Sequence, residues 1–545
     1  MLISNKDRCR ILVIYVKKLL LCVMVLCIFI GFPACTAAPA PMENHTHPKI
    51  FRYSLPMNPN TLNPQETDGI PEMTIAYHIY EGLMRTYQNQ LRYGIAESYE
   101  ISTDGRTYTF HLRDAAYGDG TPVRAEDFVR AVQRMVTEES SSRPFFAYPI
   151  RNAMKIHDGE LSIADLGVSA IDEKTLRFVL ENPTPYFLQL LALPSFSPVR
   201  SQSDFSKMEA GLCNGPFIVK KWIRNDSIRL EKNPLYWDAD RIKLDAVEIV
   251  IASDFDKLYG MFKNQELDIL PTSTDIINSE TLPYVEYYFN GANDFIRLNM
   301  SEDCPLHNKN LRLALNYALN RNAYVASLGS HTVTPSARYV LPILPGTHKT
   351  FGEEYPLEAF PLEGDTQIAR DYLKKALEEL RIEKAEDLSL ELLISDDYWA
   401  TIEAEIIREQ MRNVLGIQID IFAVPYNTHM ELDAAHKFQM SLSGWTPDYP
   451  DPATYLELWT SNSSYNYAGY NSPEYDECFR LANNQTDPQS RMSLLARAED
   501  ILLRDGALIP LQIRQSAMLK NPKLTGFKTS YFNVEFQYIY ADFLP

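Results

Sequence analysis

The first strong pattern in the chain is an unbroken apolar run from Leu19 to Phe32, preceded by Lys6, Arg8, Arg10, Lys17 and Lys18 and stopped by Pro33. The run is short for a membrane-spanning helix and gives way to proline and small residues, so residues 1–34 read as a secretory signal. Proline and small residues continue from Ala37 to Lys49, a composition suited to a tether. From Phe51 the pattern changes to that of a folded body. A short strand leads into the turn-rich Asn58-Pro59-Asn60-Thr61-Leu62-Asn63-Pro64, and Ile75, Ile79 and Leu83 then share one helical face. Tyr108 to Leu112 alternates as a strand, Asp119-Gly120-Thr121-Pro122 is a turn, and Ala125 to Met135 is a helix with Phe128, Val132 and Met135 in register. Ile228 to Leu230 and Val247 to Ile251 read as strands, and Thr366 to Leu380 and Ser490 to Leu503 as helices. Strands and helices interleave without an internal repeat, which predicts mixed sheets flanked by helices, an α/β fold.

At 545 residues the chain exceeds what one hydrophobic core supports, so two or more domains are expected. Charge narrows the partners. The net charge is −19, and because the N-terminal run is basic the remaining body is more acidic still. Without a basic patch, nucleic acid is not an expected partner. The acidity either steers cationic ligands toward the protein or keeps an exported protein soluble.

Of the seven cysteines, Cys9, Cys22 and Cys27 fall in the signal and Cys35 directly follows it. Cys213, Cys304 and Cys478 are left for the body, as one disulfide and a thiol or as three buried thiols. No Cys/His spacing suggests zinc. The pair His45 and His47 has no carboxylate or cysteine cluster beside it and reads as solvated linker, so neither metal nor cofactor is expected. The chain has no GxxxxGK[ST] loop, GxSxG elbow, HExxH motif or glycine-rich dinucleotide fingerprint. Asp448 and Asp451 could be imagined as an acid–base pair, but they sit in a proline-rich turn without a nucleophile motif, so no enzyme is expected.

Four separated stretches carry a resemblance. The first runs from Ile95-Ala96-Glu97-Ser98-Tyr99 through Asp104-Gly105 and Tyr108-Thr109-Phe110-His111-Leu112-Arg113 to Asp119-Gly120-Thr121-Pro122-Val123 and Glu126-Asp127-Phe128. The second is Asn214-Gly215-Pro216-Phe217 with Lys221-Trp222, Leu230-Glu231-Lys232-Asn233-Pro234 and Tyr236-Trp237. The third spans Leu311 to Arg321, and the fourth runs from Gly444-Trp445 and Asp448-Tyr449-Pro450-Asp451-Pro452 to Tyr470-Asn471-Ser472-Pro473-Glu474-Tyr475-Asp476. In this order they resemble the family 5 extracellular solute-binding proteins, the group that contains the oligopeptide- and dipeptide-binding components of ABC importers. Most of these residues read as structural: the Asp-Gly pairs form turns, and Tyr236 and Trp237 are expected in a core.

The resemblance implies a two-lobed, periplasmic-binding-protein-like clamp of type II with an extra subdomain. Lobe I would take residues 46–291, with a subdomain at about 81–205. Lobe II would take 292–508, and 509–545 would return to complete lobe I. An extended peptide would lie between the lobes and bond through its main chain. Asp448 would pair with the peptide's α-amino group, Trp445 would flank its backbone, and Gly69 and Ile70, within Asp68 to Glu72, would approach its main chain. Where oligopeptide binders of the family place arginines ahead of the Gly-Trp, this chain has Leu442 and Asp433. That departure leaves three readings open: ligand length is less restricted, a cation elsewhere in the cleft takes the peptide C-terminus, or the ligand is not a peptide.

Phe32-Pro33-Ala34-Cys35 resembles a bacterial lipobox, although leucine usually opens one. It implies lipidation at Cys35, a linker over 35–45, and a monomer held by its lipid on the periplasmic or outer cell surface. The expected function is capture of oligopeptides and delivery to the permease subunits of an ABC importer. Other ligands carried on this fold are dipeptides, nickel complexes, haem, oligosaccharides and signalling peptides, and a surface adhesin or sensor is the remaining reading.

Overall fold

A computed structural model describes residues 48–545 apart from 68, 89, 139–140, 142, 201–204, 206–211, 273–276, 330–331 and 533, and the side chains of Ile70 and Tyr531. The signal run, Cys35 with its lipobox, and His45 and His47 lie outside the described residues, as does Asp68. Among the described residues no helix is long and apolar enough to cross a membrane.

Three sheets organise the chain. In the first, Ile50–Leu55 runs parallel to Ala246–Ile251, followed by the antiparallel Ser227–Lys232 and Phe217–Ile223. Helix Ile70–Ile79 belongs to the same body, and the C-terminal segment closes its core through Phe536 and Tyr538. His78 accepts the Tyr538 backbone N–H through Nε2 at 2.9 Å and stacks on its ring at 3.4 Å, so the end of the chain is tied to this early helix.

The helix was expected to run on to Leu83, but it stops at Ile79 with Tyr80 extended. Asn214 explains the stop. Its side chain accepts the Glu81 N–H at 3.0 Å and donates to the Glu81 carbonyl at 2.8 Å. A Cβ on the adjoining Gly215 would lie 2.6 Å from the Ile79 carbonyl carbon. Asn214-Gly215 therefore docks the loop against the helix end, and Leu83 is buried beyond it.

The second sheet is antiparallel, with Ala96–Ile101, Thr107–Leu112, Thr175–Val179 and Val168–Asp172 in spatial order. Helix Ala125–Thr137 covers it and buries the predicted face of Phe128, Val132 and Met135. The third sheet has seven strands, in the order Ile269–Thr272, Leu508–Lys520, Val285–Leu298, Met440–Trp445, Ser389–Ser395 and Gln418–Val424, with Val333–Pro335 beside Leu508–Lys520. Helices Lys309–Ala318, Arg321–Leu328, Thr366–Leu380 and Tyr398–Leu415 pack over part of it around Leu315, Tyr324, Ile407 and Ile509.

The third motif stretch explains how the return strand is held. Arg312 donates to the carbonyls of Leu306, His307, Asp505 and Gly506 at 2.8–3.2 Å. Asn316 donates to Leu508 O at 3.1 Å and the fully buried Arg321 to Pro510 O at 2.6 Å. Burial pulls the Arg321 guanidinium down to about 9, the cost of placing a cation among carbonyls with no carboxylate. Each of these bonds ends on a backbone carbonyl rather than on a carboxylate.

Candidate functional site

Two long antiparallel strands, Val285–Leu298 and Leu508–Lys520, run side by side through the third sheet. Their register breaks between Phe289 and Asn293, opposite Ile513–Gln515, around Gly291 with φ of 83°. On the far side of Val285–Leu298 lies strand Met440–Trp445, paired from Asn293 with Trp445 to Leu298 with Met440. The other edge of Met440–Trp445 meets Ser389–Ser395 only at Met440 and Ser441. Among the described residues, the edge from Leu442 to Trp445 therefore has no further strand beside it.

That edge borders a cavity of about 950 Å³, and every residue from Leu442 to Asp448 lines it. Gly444 keeps the wall thin: a Cβ there would stand 2.9 Å from Asn293 O and 3.0 Å from Asp294 Oδ1. An exposed sheet edge with regularly spaced donors and acceptors is what an extended chain pairs with by strand addition.

Asp448 stands at the end of this edge. Thr454 Oγ1 accepts its backbone N–H at 3.2 Å, and Arg143 approaches its carboxylate at 3.3 Å. Burial raises the Asp448 carboxyl to about 6 even though Arg143 pulls it down. Trp445 and Asp448 also line a second cavity of about 490 Å³, with Phe145, Tyr186, Tyr449 and Glu457 around it. There burial drives Glu457 up to about 8, despite the Tyr449 hydroxyl that donates to it at 3.0 Å.

Two further ion pairs face the main cavity. Arg297 donates to Asp433, and Arg514 holds Asp294 with two contacts at 2.6 and 2.8 Å. His429 lies between Ser395 and Ser441 at 3.0 and 2.8 Å, and burial pushes it below its usual range against the pull of Asp433.

The family model described as "Bacterial extracellular solute-binding proteins, family 5 Middle" matches residues 90–467. The chain belongs to this family. It is 30% identical to the dipeptide-binding protein DppE of Bacillus subtilis (strain 168), over 82% of this chain and 84% of that protein. The substrate-binding domain of an oligopeptide ABC transporter from Bacillus anthracis str. Ames is 27% identical with a TM-score of 0.69, covering 92% of this chain and 99% of that one. Haemophilus influenzae OppA in complex with RPPGFSPFR is 26% identical with a TM-score of 0.67, covering 90% and 97%. The fold is thus the two-lobed α/β fold of the family 5 proteins, whose members are solute-binding proteins rather than enzymes.

Of the residues singled out from the family pattern, Asp448 and Trp445 meet at the cavity. Gly69 caps the N-terminus of helix Ile70–Ile79 and is not among the lining residues, whereas Met73, one turn on from Ile70, is. Asp451 faces away from both cavities and forms a buried pair with Arg491 at 2.7 and 2.8 Å, which removes it as a partner for Asp448 in acid–base chemistry. Tyr236 is core, its hydroxyl donating to Glu81 at 2.7 Å, and Trp237 lies under the Arg113 guanidinium at 3.7 Å. Cys213, Cys304 and Cys478 are three separate buried thiols.

Reading the sequence missed Arg143, Arg297, Asp294, Glu403 and Arg514. One signal was available for the last. In Leu508–Lys520 the polar Gln512 and Arg514 alternate with the apolar Leu511 and Ile513, and residues two apart share a strand face.

Proposed function

We infer that the protein captures peptides in this cleft outside the cytoplasm and delivers them to the permease subunits of an ABC importer, without transforming them. The observation that carries this is the unpaired strand edge from Leu442 to Trp445, which leads to the half-buried carboxylate of Asp448. The edge offers main-chain pairing to any sequence, and Asp448 offers one charged contact at a fixed end. The peptide's α-ammonium competes with Arg143 for that carboxylate. Trp445 flanks the first peptide units, and the turn at Gly69 and Ile70 approaches from the opposite lobe. The related B. anthracis and H. influenzae proteins support the reading, since the first is described as part of an oligopeptide transporter and the second is complexed with a nonapeptide.

The two long strands are the crossings between a lobe of residues 46–291 plus 509–545, with its subdomain at 81–205, and a lobe of residues 292–508. The break at Phe289–Asn293 facing Ile513–Gln515 is where they pivot. A peptide touching both lobes favours the closed arrangement by its difference in affinity for the two. Adding tetra-alanine at a hundred times its dissociation constant is expected to stabilise the protein by about 2.7 kcal/mol and to lower the radius of gyration in small-angle scattering. An unchanged radius at proven saturation would count against closure, and no binding by any peptide tested against the function itself.

The mature protein is a lipid-anchored monomer, tethered through Cys35 and the linker at 35–45. Cys35→Ser is expected to block processing or to release the protein from the membrane fraction. An unmodified N-terminus beyond Cys35 in the wild-type protein would refute the anchor.

A further inference from the structure

The charges around the main cavity do not balance. Five carboxylates line it, from Asp294, Asp397, Glu403, Asp433 and Asp448, against the three arginines Arg143, Arg297 and Arg514, and no lysine. Each arginine is engaged with one carboxylate: Arg143 with Asp448, Arg297 with Asp433 and Arg514 with Asp294. The surplus is Glu403 and Asp397, both at the start of helix Tyr398–Leu415. Among the described residues, neither forms an ion pair.

The two surplus groups differ in their surroundings. Asp397 is exposed and accepts the Ala400 N–H at 2.9 Å as the helix cap. Glu403 is set into the wall. Its side chain accepts from Gln512 Nε2 at 2.9 Å, and the same amide donates to Asp294 Oδ2 at 2.9 Å. One neutral amide thus bridges two carboxylates. Gln512 itself is only 2% exposed, lines the cavity, and leaves its Oε1 without a hydrogen-bond partner. A wall in which two acids share one amide, beside a buried acceptor without a donor, is built to receive a donor that carries positive charge. Trp399, half-exposed on the same helix, lines the cavity too and offers a ring face to a cation.

We propose that the wall of Glu403, Asp397, Asp294 and Gln512 selects peptides with a lysine or arginine side chain, whose head group pairs with Glu403. The assignment rests on the peptide reading above and names the ligand class within it. Asp448 takes the α-amino group, and the wall at Glu403 takes a second cation that only some peptides carry.

The protonation of Glu403 gives the assignment an independent readout. Burial and the neighbouring Asp294 raise its carboxyl to about 7, against the pull of Arg514 and Gln512. Asp397 on its own helix and Tyr324 on helix Arg321–Leu328 also face it. Below that pH the group is mostly a neutral acid, and above it a carboxylate. Preference for a cationic side chain must therefore strengthen from pH 6 to pH 8.

The test is a calorimetric titration of tetra-alanine variants in which each position in turn is lysine or the uncharged norleucine, against wild type and Glu403→Gln. At one position wild type is expected to favour lysine by about tenfold at pH 8 and less at pH 6. Glu403→Gln is expected to bring that ratio near one and to remove its pH dependence. No lysine-preferring position, or a preference that survives in Glu403→Gln, would overturn the assignment while leaving peptide capture standing. If Glu403→Gln weakened every free-amine peptide equally, the α-amino group would sit at Glu403 and the assignment would again be wrong. Failure of all peptides, tetra-alanine included, would overturn the peptide reading and this assignment with it.

Discussion

Asp448→Asn is expected to weaken binding of peptides with a free amino terminus by about a hundredfold, or ~3 kcal/mol, the scale for removing one partner of a buried charge pair. The substitution keeps the shape of the side chain and the backbone N–H that Thr454 receives, so it removes charge alone. N-acetylated peptides bring no ammonium and should bind wild type and variant alike, both weakly. The pH profile has a definite sign. Burial raises the Asp448 carboxyl to about 6, so affinity for free-amine peptides is full above that value and falls as the carboxylate is protonated below it. Asp448→Asn should flatten that part of the profile. This window lies below the one at Glu403, so the two effects separate by pH as well as by peptide. Equal affinity for acetylated and free peptides in the wild type would remove Asp448 from the site.

How much of this was legible depended on whether a residue acts locally or at a distance. Helix Thr366–Leu380 was readable to its ends because its apolar spacing and the Asp365 cap are both local. Asn214, Arg312 and Arg321 were recognisable as parts of a family pattern. Their task, pairing helix ends and strand mouths across as many as 194 residues of chain, became clear only when the partners at Glu81, Gly506 and Pro510 were in place. Asp448 could be named because its turn is compact. The cations of the cleft could not, since Arg143, Arg297 and Arg514 come from three distant segments, and nothing local distinguishes them from solvated arginines. Glu403 was hidden for the opposite reason. It lies in the amphipathic helix Tyr398–Leu415 among exposed acids such as Glu405, where an acid is the ordinary residue. Only the approach of Gln512 and Asp294 from the sheet changes its chemistry.

The largest effect on stability is expected at Asp451. Asp451 and Arg491 are paired at 2.7 and 2.8 Å with side chains only 2% and 4% exposed, and Asp451 also accepts the Ala453 N–H at 2.9 Å. Asp451→Ala strands the Arg491 guanidinium in the interior and leaves an N–H of the turn unpaired, which should cost about 3 to 5 kcal/mol. The measurement is the midpoint of guanidinium chloride unfolding. Desolvating two charges offsets most of their attraction, so an apolar pair of similar volume, Asp451→Leu with Arg491→Met, should recover much of the loss. Recovery would identify the stranded charge as the cause, whereas a double variant as unstable as the single one would point to the lost turn contact. Function should follow the turn more closely than the stability. Asp451 lies three residues beyond Asp448, and Thr454, which receives the Asp448 N–H, follows Ala453 directly. The stable double variant therefore still lacks what fixes the Asp448 carboxylate in the cleft, and its affinity for free-amine peptides should remain below wild type. A double variant with wild-type affinity would show that the strand edge alone positions Asp448.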